Sequence, residues 1–418
     1  MNVLILGGGG REHAMALAAT RSPRLRKLFV LPGNAGTSTI ATNVPGNPSD
    51  VKLALEVARR EQIDLTIVGP EEPLAAGIVD AFQSAGLRAF GPIAAAARLE
   101  SDKAFAKQLM RQQAVPTAEG RIFSDFELAR EYIASRDEAL VVKAAGLAKG
   151  KGVVVCADPA EALVVAEQML VRRRFGDAGL TIVVEERLVG REVSVMAIVD
   201  GTTLYMLEPA QDYKRLNDGD SGPNTGGMGA FCPCETLDER TLRHVQSEIL
   251  VPTLAGLARE DIHYRGVLYA GLMLTHGGPR VLEFNCRLGD PETQVVLTRL
   301  QSDFLELIEA AVSGRLESAE ARWDPRHAVA VTLAAPGYPE TVRTGAPIDG
   351  LDAAESMADV VVMHAGTRAD RGRVWTAGGR VLNVVGLGET RAAARDRAYL
   401  GVDAIRFDGL QCRRDIGS

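Results

Sequence analysis

The first hundred residues constrain the fold most, because short apolar runs alternate there with helical spacing, and every run ends in a glycine or proline turn. Runs at 2–6, 28–31, 64–68 and 88–90 predict strands, while 14–19, 50–60 and 74–85 predict helices, with Ser49 as an N-cap. The turns are Gly7-Gly8-Gly9-Gly10, Pro32-Gly33-Asn34-Ala35-Gly36, Gly69-Pro70 and Gly91-Pro92. Repeated strand–turn–helix units predict a parallel sheet whose turns line its carboxyl edge, where open α/β sheets take their ligands.

From about residue 101 the pattern changes to helices at 101–113 and 126–135, then strands at 139–143, 153–156, 181–186, 192–199 and 203–207. A long helix is predicted at 237–259, with strands at 266–274 and 280–285. The remainder from 327 reads as β-rich with hairpin turns, one of them at Gly378-Gly379, and a last helix at 390–404. The expected architecture is α/β and α+β in three domains, an N-terminal parallel-sheet domain at 1–100, a central domain at 101–326 and a β-rich domain at 327–418.

Composition narrows the function. A net charge of −7 argues against a broad nucleic-acid face, and 24% charged residues leave no apolar stretch fit to span a membrane. The amino terminus carries no recognisable leader, so a cytoplasmic protein is expected. Five cysteines without metal or redox spacing read as reduced thiols, including the Cys232–Cys234 pair. Only eight of the 47 basic residues are lysines, so a lysine points toward a point-charge role such as meeting phosphate.

Four clusters can carry chemistry. Gly7-Gly8-Gly9-Gly10-Arg11 fails the dinucleotide spacing Gly-x-Gly-x-x-Gly/Ala, and no acidic residue follows the second strand, which disfavours a nicotinamide cofactor. Its glycines permit either close approach to an anion or simply a tight turn. The Lys143–Gly152 segment is a lysine followed by a glycine hairpin, with Gly146, Lys149, Gly150, Lys151 and Gly152; it is no P-loop, and suits either a phosphate cover or a solvated turn. On the 280–285 strand, alternation puts Glu283 and Asn285 on one face, with Arg287 following. That set suits Mg²⁺ bridging phosphates beside a guanidinium, or an edge-strand ion pair. The Gly-rich stretch 211–229 is too long for a passive connection and reads as a binding element.

In this order the clusters closely resemble the phosphoribosylamine–glycine ligases, ATP-grasp enzymes of purine biosynthesis. The resemblance covers essentially the whole chain. It rests on Gly-Gly-Arg-Glu-His-Ala at 9–14, Pro-Gly-Asn-Ala-Gly-Thr at 32–37, Val-Gly-Pro-Glu at 68–71 and Ser-x-Lys-Ala-Phe-x-Lys at 101–107. Further matches are Gly-Pro-Asn-Thr-Gly-Gly-Met-Gly-Ala at 222–230, Glu-Phe-Asn-Cys-Arg at 283–287, Gly-Asp-Pro-Glu-Thr-Gln at 289–294, His-Ala-Gly-Thr at 364–367 and Cys-Arg-Arg-Asp-Ile-Gly at 412–417.

The resemblance implies a central ATP-grasp domain with a mobile flap at about 120–187. It implies ATP contacts from Lys103, Lys143, Gly146, Gly150, Lys151, Gly152, Glu185, Glu186, Leu188 and Glu192, and a Mg²⁺ or Mn²⁺ ion on Glu283 and Asn285. Arg287, Lys214 and Asp212 become the catalytic set. Glycine and 5-phosphoribosylamine fall to Gly9, Gly10, Arg11, Gly33, Asn34, Ala35, Gly36, Gly226, Gly227 and Asp290. The chain departs from the family pattern at Ala144, Lys149 and Leu288, and its 269–273 strand offers no carboxylate as a further metal ligand. Small-molecule partners alone are expected, with no nucleic acid or membrane, for a monomer or weak homodimer. Competing readings are another carboxylate–amine ligase of the same fold, a nicotinamide oxidoreductase, and a non-catalytic nucleotide-binding module.

Overall fold

The computed structural model describes residues 1–148 and 151–418. The N-terminal sheet is parallel, with β1 (Asn2–Gly7), β2 (Lys27–Pro32), β3 (Thr42–Asn43), β4 (Leu65–Val68) and β5 (Ala89–Phe90) in the order β3-β2-β1-β4-β5. Its strands are nearly continuous runs of buried apolar residues, as expected where helices cover both faces. Strand order reverses between β1 and β4, so the Gly7–Gly10 turn opens at a topological switch point. There Gly7 adopts φ +120, and a Cβ on Gly10 would strike the Asn383 side chain, so neither position accepts a larger residue.

Two antiparallel sheets follow. The first holds β6 (Gly120–Phe123), β7 (Leu140–Ala144), β8 (Val153–Val155) and β9 (Ile182–Glu186) in the order β6-β9-β7-β8. The second holds β10 (Arg191–Val199), β11 (Leu204–Met206), β16 (Gly266–Thr275) and β17 (Gly278–Asn285) in the order β11-β10-β16-β17. Between β11 and β16 in sequence lie β12 (Gln211–Asp212), the hairpin of β13 (Arg215–Asn217) and β14 (Ser221–Asn224), and β15 (Gly229–Cys232). The stretch 211–229 is therefore mostly short strand pairs rather than open loop.

The C-terminal sheet, in the order β12-β15-β18-β23-β20, joins β12 and β15 to β18 (His327–Ala334), β20 (Val360–His364) and β23 (Arg380–Gly388). A three-stranded sheet holds β19 (Pro347–Ile348), β21 (Thr367–Asp370) and β22 (Arg373–Thr376). Gly378-Gly379 consequently carries the chain from one sheet to another, correcting its expected hairpin role. The hairpin turn lies at Arg371-Gly372, where positive φ at both residues matches the twist of the strands they join.

Helix ends differ from expectation where capping competes with periodicity. Asp50, not Ser49, caps Val51–Arg60 by accepting from the Leu53 N–H. The helix expected at 101–113 divides, because Asp102 leaves helical geometry and caps Lys103–Gln112 by accepting from the Phe105 N–H. The one expected at 74–85 divides at Gly77, φ +80. The long one at 237–259 runs as Glu239–Val245, a π-turn at Gln246–Leu250 and Val251–Arg259, a register shift that accommodates Pro252. Helices at Pro159–Leu170, Glu292–Arg299 and Phe304–Val312 were not anticipated. Among the described residues no helix is long and apolar enough to cross a membrane.

Candidate active site

The two antiparallel sheets enclose a cleft of about 760 Å³, lined also by Glu71 and Glu100 from helices of the N-terminal region and by β12 of the C-terminal sheet. Lys143 reaches it from β7, Lys103 from the first turn of the Lys103–Gln112 helix, and Glu283 and Asn285 from β17. The expected acid-and-amide pair and the two lysines thus face one space. Glu186, Leu188, Glu192, Gly152, Asp212, Lys214, Gly226, Asp290 and Arg287 also line it.

Its electrostatics are densely paired. Burial raises the Glu283 carboxyl, but Lys214, Lys103 and Lys143 reverse this and hold it below the usual range. Burial lowers the Lys103 ammonium, an effect only partly offset by Glu283. Lys214 sits 3.0 Å from Glu192 and 3.9 Å from Glu283; against the burial cost, Glu192 and Asp212 keep it firmly protonated. Asp212 is pushed to about 7 by burial and by Glu292, against the pull of Lys214.

Arg287 is gripped on several sides. Its Nε donates to Glu71 at 3.3 Å, Nη1 to the Leu288 carbonyl at 3.3 Å and Nη2 to Asn285 at 3.2 Å, while Nη2 also pairs with the Glu100 carboxylate at 3.1 Å. A guanidinium carries five N–H groups, so one Nη1 hydrogen is left for a ligand. Its two acids differ: Glu71, raised by burial but drawn down by Arg287 and Arg11, lies at about 2, whereas deeper burial holds Glu100 at about 7.

Other expected site residues stand outside the cleft. The Arg11 guanidinium is buried, with Nε on Glu12 at 2.6 Å and Nη1 on the Leu288 carbonyl at 3.1 Å. Asn34 donates to the Gly8 and His364 carbonyls and the Ala35 N–H to the Thr367 hydroxyl, so the Gly33–Gly36 turn also meets the C-terminal region through these two residues. Gly9 backs onto Asp290 from behind and Gly10 onto Asn383. Gly227 packs against Pro291. Gly146 lines a smaller cavity of about 370 Å³ beside Arg98 and Phe105. Lys151 is exposed, and Gly150 and Lys149 lie outside the described residues.

Sequence reasoning gave no site role to Glu71, Glu100, Tyr269 or Arg413, all of which line the cleft. Nor did it single out Arg380, whose Nη1 donates to the Gly226 and Asp290 carbonyls at 2.5 and 2.6 Å while Nη2 meets the Asp290 carboxylate at 3.0 Å. Glu71 and Arg413 do sit inside quoted motifs, the signal that could have found them.

Comparison with known proteins decides the family. Three phosphoribosylglycinamide synthetase models match in succession, the N domain over 1–100, the ATP-grasp domain over 101–293 and the C domain over 328–418. The chain belongs to the phosphoribosylglycinamide synthetase family. It is 50% identical to the phosphoribosylamine–glycine ligase of Rhodopirellula baltica, covering 99% of this chain and 97% of that one. It is 47% identical to that of Escherichia coli O6:H1, covering 100% and 98%. The crystal structure of phosphoribosylamine–glycine ligase from Thermotoga maritima superposes with a TM-score of 0.86 at 35% identity, covering 99% and 100%. A biotin carboxylase domain from Hydrogenobacter thermophilus, complexed with MgADP, shares the fold at TM-score 0.75 and 16% identity, covering 98% and 91%.

As a phosphoribosylglycinamide synthetase the chain is an ATP-grasp ligase acting on small molecules, with ATP and a divalent cation. Glu283 and Asn285 set two oxygen donors at this cleft, a donor set that fits a hard divalent cation whose remaining positions are filled by phosphate oxygens and water. That is the chemistry of a nucleotide-bridging ion.

Proposed function

We propose that this chain joins glycine to 5-phosphoribosylamine at the expense of ATP, giving glycinamide ribonucleotide, ADP and phosphate through glycyl phosphate. The observation that carries the proposal is the placement of Glu283 and Asn285 across one cleft from Lys103 and Lys143, in a chain matched to ligases of this name along its length. A carboxylate resists amine attack because its oxygen leaves poorly; phosphorylation supplies a better leaving group, and the amine then displaces phosphate.

The protein's contribution is position and charge. Lys103 and Lys143 meet the nucleotide phosphates, and Glu186, Leu188 and Glu192 meet its base and ribose. Glu283 and Asn285 would hold Mg²⁺ or Mn²⁺, which offsets phosphate charge when bound. Arg287, pre-oriented by Glu71 and Glu100, offers its remaining N–H to the transferring phosphoryl group. Asp212 and Lys214, with Gly226 and Asp290, form the acceptor end of the cleft. The turns at Gly9–Arg11 and Gly33–Gly36, the first of them beside Asp290, complete the places for glycine and 5-phosphoribosylamine. Closure of the β6–β9 sheet over the cleft would exclude water from the acyl phosphate.

A division into domains at about residues 100 and 326, cytoplasmic location and a monomer or weak homodimer accompany this reading. ADP release that requires both glycine and 5-phosphoribosylamine is its test. ADP release indifferent to glycine, or equal with alanine, would sink it.

A further inference from the structure

We infer that Glu185 is a positioning residue: its carboxylate, braced by Lys107, holds the phosphate-facing ammonium of Lys143 and ties it to the metal-bearing strand β17. This deepens the reading of the nucleotide cleft given above and rests on it.

The argument begins with the register. Val141 on β7 lies opposite Glu185 on β9, so Lys143, two residues on, shares the face of Glu185 at diagonal spacing. The Glu185 carboxylate divides itself, with Oε1 2.6 Å from the Lys107 Nζ and Oε2 2.6 Å from the Lys143 Nζ. All three side chains are buried.

An ammonium has three N–H donors, and counting them separates the two lysines. Lys107 spends all of its donors inside the protein, on Glu185, on the Thr117 hydroxyl at 2.9 Å and on the Ala118 carbonyl at 2.9 Å. Lys143 spends two, on Glu185 and on the Leu282 carbonyl at 2.8 Å, which leaves one directed at the cleft that it lines. Lys107 is therefore a brace and Lys143 a working group.

The acceptor on β17 is equally specific. Pairing between β16 and β17 slips at Leu282, since Gly271 faces Glu283 while Leu272 faces Val281. A bulged residue is left outside the ladder, and its carbonyl is free for Lys143. The preceding carbonyl, that of Val281, accepts from the Thr117 hydroxyl at 2.8 Å, and Thr117 is the residue Lys107 donates to. Two consecutive carbonyls immediately before Glu283 are thus pinned by one network centred on Glu185. The network crosses from the β6–β9 sheet to the β17 sheet, fixing the distance between phosphate lysine and metal ligands.

The test measures binding of ATP and of inorganic tripolyphosphate to the full chain with Mg²⁺, by calorimetry, for wild type, Glu185→Gln and the double variant Glu185→Gln/Lys107→Met. Loss of the carboxylate weakens both ligands by the same factor, roughly tenfold, because the defect lies in Lys143 and not at the base. In the double variant no second ammonium opposes the new amide, whose oxygen accepts from Lys143, and both affinities return to within roughly threefold of wild type. If ATP weakens while tripolyphosphate does not, Glu185 is an adenine contact and the inference is overturned. Unchanged affinities, or losses that persist in the double variant, overturn it as well. Should Glu185→Gln alone fail to fold, Glu185→Asp takes its place: its shorter carboxylate cannot reach both ammoniums, so an equal loss of both ligands supports the inference and unchanged affinities overturn it. None of these measurements needs glycine or 5-phosphoribosylamine, so absence of ligation would defeat the proposed function separately, whereas a wild-type chain that binds neither ligand defeats both.

Discussion

Arg287 shows how far a residue's neighbours decide its work. The chain pattern alone left it between a phosphoryl clamp and an ion-pair partner of Glu283; instead its salt bridges run to Glu71 and Glu100, acids about 200 residues away in sequence. That placement makes it rigid before any ligand arrives, which is the condition for selective transition-state stabilisation. Arg287→Ala should lower kcat roughly a hundredfold or more while ATP affinity changes less than about threefold, measured by steady-state kinetics beside nucleotide titration. Equal losses in both would assign Arg287 to ground-state binding. Glu100 supplies a pH signature at the same point. Its carboxyl lies at about 7 in the folded chain, raised chiefly by burial and also by Glu71, against the pull of Arg287 and the Cys286 N–H. The folded state thus holds a proton that the unfolded state has released above its ordinary carboxylate value of 4.5. The associated stability is fully present below that value and is lost as pH rises through about 7. Glu100→Gln should flatten the decline, on the order of 1–3 kcal/mol between pH 5 and 8, in urea unfolding followed across that range. A decline identical in both proteins would mean that other groups carry it.

At the scale of elements, periodicity announced strands and helices well but not where they stop. The four expected N-terminal strands emerge within a residue or two of expectation because their apolar runs end at glycine or proline, whereas the two-residue β3 is too short to show a period. The helix bearing Lys103 was misplaced because one residue changes its start: Asp102 takes φ −140 and ψ 89, so its carboxylate caps the new helix instead of lying within a longer one. That cap is functional geometry, since it sets Lys103 on the first turn facing the cleft. Asp102→Ala should cost about 1 kcal/mol of stability and raise the KM for ATP severalfold while leaving the KM for glycine unchanged. A lowered unfolding midpoint with an unchanged ATP KM would show that Lys103 does not depend on the cap. The β17 bulge at Leu282 had no signal in the sequence at all, because alternation of Glu283 and Asn285 survives it on the cleft side. Lysine scarcity was the better guide: Lys103, Lys143 and Lys214 line the cleft, and Lys107 stands in its wall.

Across the whole molecule, what the sequence could not reveal is which distant segments meet. The motifs at 9–14 and 32–37 read as substrate turns, and 364–367 carried only the family resemblance. All three interlock across 330 and 351 residues, with Asn34 donating to the His364 carbonyl at 2.8 Å and the His364 N–H donating to His13 at 2.8 Å. Such a contact fixes the first and last sheets into one platform, and only the folded chain displays it. The same long-range logic brings Arg380 from β23 onto Asp290 and Gly226, so the last sheet closes the acceptor end of a cleft built mainly by the central ones. Burial lowers the Arg380 guanidinium, but Asp290 more than restores it, while Asp290 itself is held ionised by Arg380. Removing the guanidinium strands that carboxylate and frees two carbonyls that shape the acceptor pocket, while Lys103 and Lys143 stay untouched. Arg380→Ala should therefore raise the KM for glycine or for 5-phosphoribosylamine roughly tenfold or more, with the KM for ATP within about twofold of wild type. Steady-state assays varying each substrate in turn read the split. If the ATP term moves as much as the acceptor terms, the C-terminal sheet supports the whole cleft uniformly and Arg380 has no particular place at its acceptor end.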